Sequence, residues 1–147
     1  MKNICIKFEH LVLSLLVLVS TACVVTDDLA TPNVASPVLV LLQGTEFEAS
    51  SDVSVVGRFY ELDKSGILDQ NVGIDSIPVS GLNVRVFINS TQEVGSLTTD
   101  GSGSVLFQQT WNGLGVEAPS SGSQIRLEFA GVHNNTAFRM YHNVRVR

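Results

Sequence analysis

The sequence predicts an all-β protein, a single antiparallel β-sandwich, and three observations carry that reading. Past residue 36 the apolar residues are chiefly Val, Leu, Ile and Phe in short runs, the types that suit a pleated, half-buried surface. These runs alternate with polar residues at a period of two and are cut at short intervals by Gly, Ser, Asn and Asp, which form turns. No stretch of the same region keeps the three-and-four spacing of an amphipathic helix.

Residues 38–42, Val-Leu-Val-Leu-Leu, make an apolar run without alternation, a strand whose direction of burial the pattern leaves open. Residues 52–62 carry two registers, Val53, Val55, Gly57, Phe59 and Glu61 against Ser54, Val56, Arg58, Tyr60 and Leu62. The second grows more apolar toward its end, and Gly57 marks a candidate bulge. Residues 81–89 alternate cleanly, with Leu82, Val84, Val86 and Ile88 on one face and Asn83, Arg85, Phe87 and Asn89 on the other. A turn at 90–92 leads to a strand over 94–99. The turn Asp100-Gly101-Ser102-Gly103, with two glycines free to take positive φ, then returns residues 104–111 as the partner of that strand.

Residues 113–122, rich in Gly, Pro and Ser, read as a loop. The strand over 123–132 turns Ile125, Leu127 and Phe129 inward and Arg126 and Glu128 outward. The strand over 136–146 collects Phe138, Met140, His142, Val144 and Val146 on one face. Six to eight strands with turns at this spacing fit a sandwich.

The first residues follow another logic. Lys2 and Lys7 precede an apolar run over 11–19 that ends in Ser20, Thr21 and Ala22, the layout of a secretory signal. The run is too short for a membrane span, which needs about 20 apolar residues. Val19-Ser20-Thr21-Ala22-Cys23 resembles the lipobox of bacterial lipoproteins, which implies removal of residues 1–22 and acylation of Cys23. Cleavage after Ala22 by an ordinary signal peptidase would instead leave Cys23 a free thiol. Cys5 departs with the signal, so the remaining chain holds one cysteine and forms no internal disulfide. Val24 stands where an inner-membrane retention Asp would stand, so the resemblance implies lipid anchoring to the outer membrane, with the domain facing either the periplasm or the cell surface. Residues 23–36 then form a short lipidated stalk, and 37–147 the sandwich domain.

Removing residues 1–22 takes Lys2, Lys7 and Glu9, which leaves seven basic residues against thirteen acidic, a formal net charge of −6. That balance argues against nucleic acid as a partner. The two histidines of the remaining chain, His133 and His142, lack partners at catalytic or metal-ligand spacing, and no serine sits in a nucleophile elbow. The chain is read as non-enzymatic, with His142 a core histidine satisfied by one hydrogen bond.

Two stretches belong together: residues 56–69, Val-Gly-Arg-Phe-Tyr-Glu-Leu-Asp-Lys-Ser-Gly-Ile-Leu-Asp, and Thr98-Thr99-Asp100-Gly101-Ser102-Gly103. They resemble the B repeats of serine-aspartate-repeat surface adhesins, prealbumin-like or Ig-like sandwich modules in which a strand leads into an oxygen-rich calcium loop. The resemblance covers roughly residues 55–107 and implies an adhesin-like module. Within the loop, Glu61, Asp63 and Ser65 place oxygens at alternate positions, Gly66 permits a sharp turn and Asp69 returns a carboxylate. Such a loop suits a hard cation coordinated at about 2.4 Å, and calcium is the cation it fits. The alternative is a solvated acidic turn without a cofactor.

Five of the seven basic residues, Arg85, Arg126, Arg139, Arg145 and Arg147, fall at outward positions of three expected strands, with Phe87 and Tyr141 in the same registers. If those strands share a sheet, they form a cationic face bearing aromatics, a candidate binding surface for a protein or an anionic glycan of the cell envelope. The alternative use is as ordinary arginine stems covering a half-exposed sheet. A structural reading also stands, in which the chain is an assembly subunit of an envelope machine or filament and the edge strand over 38–42 pairs with a neighbour. Intact mass of the membrane-extracted protein tests the anchor first. A chain beginning at Cys23 with two or three acyl groups is expected, and an unmodified Cys23 overturns it.

Overall fold

A computed structural model of the protein describes residues 36–147; the signal, most of the stalk and Cys23 lie outside the described residues. Nine strands follow in order: β1 (Leu39–Gln43), β2 (Glu46–Phe47), β3 (Val53–Asp63), β4 (Asp75–Pro78), β5 (Asn83–Ile88), β6 (Gln92–Thr98), β7 (Ser104–Gln109), β8 (Gln124–His133) and β9 (Thr136–Val146). Among the described residues there is no helix, and the strands form two sheets of a sandwich.

The first sheet is built on β3. Its middle, Val56 to Tyr60, pairs with β1 along one side, and its length pairs with β7 and then β4, end to end, along the other. The second sheet runs β2-β9-β8-β5-β6 and is antiparallel apart from the two-residue parallel pair of β2 with β9.

The inner faces meet through Val53, Val55 and Phe59 of the first sheet and Val84, Val86, Leu127, Phe129 and Val144 of the second, all fully buried. Two aromatic pairs span the gap, Phe107 edge-on to Phe129 at 6.1 Å and Phe59 tilted against Phe138 at 5.9 Å, geometries that add to area burial. The alternation expected for β5, β8 and β9 holds. In β3 the inward register is that of Val53, Val55, Gly57 and Phe59, while Val56, Tyr60 and Leu62 lie half-buried on the outer face.

Gly57 is not a bulge, because its pairings with Leu42 and Val105 run without a register shift. A Cβ there would come within 3.0 Å of both Phe59 and Val105, so glycine is kept for close packing. The bulge lies instead in β6, where Val94 is the extra residue between Glu93 and Gly95, opposite Val86 and Phe87 of β5.

The turn at Asp100 also differs from expectation. Residues 104–109 do not return along β6 but cross to the first sheet and pair with β3. Of the two glycines only Gly103 takes a positive φ, +72°. Its position leaves no space for a Cβ, which would meet the Phe59 carbonyl at 2.6 Å. Asp100 caps the crossing by accepting from the Ser102 hydroxyl and from the N–H groups of Ser102 and Ser104. Those bonds, led by the Ser102 hydroxyl, hold the Asp100 carboxyl below its ordinary pKa.

Thr99 fixes the same junction from inside. Its buried hydroxyl donates to the Val79 carbonyl at 2.6 Å and accepts from the Leu82 N–H at 2.8 Å, tying the entry of β5 to the exit of β6. Thr99→Val keeps the shape and orphans both backbone groups. It is expected to lower the unfolding free energy by about 1–3 kcal/mol, with Thr99→Ser restoring most of it, as read by urea denaturation.

Candidate binding face

β5, β8 and β9 lie side by side, so their outward side chains form one field. Register sets Tyr141, Glu128, Phe87 and Glu93 in one row across four strands, and Arg139, Ala130, Arg85 and Ser96 in the next. The arginines stack on the aromatics, Arg126 over Tyr141 at 4.7 Å and Arg85 over Phe87 at 5.2 Å.

Glu128 sits at the centre. It points outward, as the alternation predicts, yet it is only 2 % exposed, because its neighbours close over it. Arg139 Nε lies 3.0 Å from Glu128 Oε1, but the N–H is not aligned with the oxygen, and neither carboxylate oxygen has a hydrogen-bond partner. The contact is an ion pair without an aligned hydrogen bond. A buried carboxylate so placed depends on Arg139 for its only close counter-charge among the described residues.

Not all five predicted arginines serve this field. Arg145 pairs with Glu46, its register neighbour on β2, and Arg147 Nε reaches Glu48 Oε1 at 2.7 Å. Both are absorbed in fastening β2 to the sheet edge. Arg85, Arg126 and Arg139 remain with Phe87 and Tyr141, against Glu93, 3.8 Å from Arg85, and Glu128.

Between Arg85 and Arg139 the outer face sinks into a trough of about 380 Å³. Asn83, Ala130, Val132 and Ala137 line it together with the two arginines. Alternation identified the arginines, but the trough depends on Ala130 lying between them in the register row, a pairing that sequence spacing alone does not give.

In the oxygen-rich loop each of the three acids has a partner of its own. Glu61 Oε2 stands 3.1 Å from His133 Nε2, bridging the two sheets. Asp63 accepts the Ser65 N–H at 2.8 Å and Asp69 the Asn71 N–H at 2.9 Å, each capping its own turn. The Ser65 N–H, followed by its hydroxyl, holds the Asp63 carboxyl below its ordinary pKa. Among the described residues, no three His, Cys, Asp or Glu side chains converge to hold a metal, so Glu61, Asp63 and Asp69 are not gathered around a common point.

His142 donates from Nε2 to the Gly44 carbonyl at 2.7 Å, since a carbonyl can only accept; it ties β9 to the β1–β2 link. The loop over 113–122 is pinned rather than free. Leu114 is buried beside Trp111, whose indole N–H donates to the Glu48 carbonyl at 3.1 Å. Comparison with family models, curated proteins and solved structures finds no match to this chain.

The Glu128–Arg139 pair can be separated from the fold by a double-mutant cycle. Arg139→Ala strands a buried carboxylate and is expected to cost about 1–3 kcal/mol. Arg139→Ala with Glu128→Leu, which removes the stranded charge, is expected to recover most of that loss in chemical denaturation.

Proposed function

We propose that this chain is a non-catalytic, lipid-anchored module of the bacterial cell envelope that binds an acidic sugar unit of an anionic glycan in the trough between Arg85 and Arg139. The observation that carries the reading is the register row Arg139–Ala130–Arg85. It sets two guanidinium groups on either side of a small residue, their backbones two strand spacings or about 10 Å apart.

Each guanidinium offers five donors in a planar fork that matches a carboxylate or sulfate. The Nε of Arg139 is engaged by Glu128 and one terminal nitrogen of Arg85 stands near Glu93, so further donors on each remain to meet a ligand. Glu128 fixes the arm of Arg139, and the Phe87 ring lies under Arg85. Side chains held in this way lose less entropy on binding.

Size favours a small unit. A stable protein interface buries about 800 Å² on each side, whereas a trough of about 380 Å³ accommodates a sugar ring. The lipobox-like end at Cys23 supports the anchor, and the absence of a nucleophile or catalytic-base pattern in the sequence supports a binding role.

Polygalacturonate and heparin, one carboxylated and one sulfated, are the probes. The full chain in detergent is expected to bind at least one of them with affinity that falls as salt rises. Arg85→Gln, and separately Glu128→Gln with Arg139→Gln, are each expected to weaken binding about tenfold, equivalent to about 1.4 kcal/mol. The paired neutral change avoids stranding the buried acid. Absence of binding to both polymers, or parental affinity in both variants, overturns the reading.

A further inference from the structure

β1 leaves one edge of the first sheet open. β3 is its only partner among the described residues. Phe59 turns its N–H and C=O toward Gly103 and Val79, so Arg58 and Tyr60 turn theirs toward β1, where they face Leu41 and Leu39. By the alternation of an antiparallel ladder, Val40 and Leu42 then direct their N–H and C=O groups out of the open edge.

The other margins of the sandwich carry the devices that discourage strand addition. β6 bears Glu93 and is itself bulged at Val94. β2 is two residues long, begins with Glu46 and is followed by Glu48. β4 includes Asp75 and Pro78, and β7 comes close to β6 without pairing with it. β1 has none of these. Its register with β3 is continuous, and residues 36–45 contain no charged side chain.

The geometry points to a second copy of this chain as the occupant: two β1 strands pair antiparallel about a two-fold axis at Leu41. Val40 then exchanges both backbone hydrogen bonds with Leu42 of the second copy, and symmetry repeats the exchange. Leu41 meets its own counterpart in a non-hydrogen-bonded pair, where side chains approach most closely. That covers a leucine 46 % exposed on the outer face. Leu39 faces Gln43 of the second copy.

A chain of net charge −6 after removal of residues 1–22 repels its own copies over most of its surface. The uncharged edge is where two copies meet without like-charge opposition. Self-pairing through an isologous contact closes at two, so it gives a dimer rather than a filament. It is independent of the trough, which lies on the other sheet.

The test uses the full chain in detergent. Sedimentation over a concentration series is expected to show a monomer–dimer equilibrium, with Leu41→Lys shifting it to monomer. Under mild oxidation Leu41→Cys is expected to form a disulfide-linked dimer, since the paired Cα atoms stand about 4.5 Å apart, within disulfide reach. Leu39→Cys is expected to stay uncrosslinked, because its counterparts lie about 14 Å apart along the register. The parent chain under the same oxidation controls for Cys23.

A parent that remains monomeric throughout, with no cross-link from Leu41→Cys, overturns the proposal. So do equal cross-linking from Leu39→Cys, an undiminished dimer in Leu41→Lys, and a stoichiometric complex with another protein that excludes the second copy.

Discussion

The structure depends on β3 having its backbone satisfied on both sides by strands remote in sequence. Val56 to Tyr60 pair with β1 on one edge, and nearly the whole strand pairs with β7 and β4 on the other, while Val53, Val55 and Phe59 face the core. A buried backbone group without a partner costs as much as a lost hydrogen bond, so these three strands are held where β3 needs them. Two glycines ease that convergence: at Gly57 a Cβ would crowd the Phe59 and Val105 side chains at 3.0 Å, and at Gly103 none fits beside the Phe59 carbonyl. Because the partners lie on both sides of β3 in the chain, the sheet forms only by long-range pairing, with its loop-closure cost.

The second sheet answers to a different constraint, a carboxylate buried on an outward face. Desolvating Glu128 is unfavourable unless a counter-charge is held near it, and Arg139 supplies that charge from the adjacent strand. Tyr141 and Phe87, its cross-strand neighbours, are flanked in turn by Arg126 and Arg85. Each arginine of this field therefore has an acid or a ring of the same sheet as its neighbour.

The parts legible in the sequence are those governed by local periodicity. β5, β8 and β9 each turn apolar residues to the core and mostly solvated ones outward, Glu128 and Ala130 excepted, so a period of two identifies Val84, Leu127 and Phe138 as core, and Arg85, Arg126 and Arg139 as surface. β3 resists the same treatment because the first sheet is apolar on both sides. Val56, Tyr60 and Leu62 look as suitable for a core as Val53, Val55 and Phe59. Turn chemistry has a similar limit: Asp100 to Gly103 specifies a chain reversal, but nothing local decides which sheet receives the returning strand. β2 and β4 are too short to show a period. The burial of Glu128 comes from side chains on adjoining strands, information that exists only once register is set.

The two outer faces divide the surface by chemistry. On the second sheet, charge and aromatic rings alternate and each arginine has a partner in an acid or a ring. On the first, Leu39, Leu41 and Leu106 are exposed and Arg58 is the only charged outward residue on β1 and β3 between Leu39 and Tyr60. Hydrophobic contact lacks direction, so an apolar face alone would accept many partners. The open backbone groups of Val40 and Leu42 provide the missing direction, since they accept only an extended strand in one register parity. Under the two proposals, recognition on the first sheet would rest on backbone geometry with leucine packing as its supplement, and on the second on side-chain donors. The two can act at once because the core lies between them.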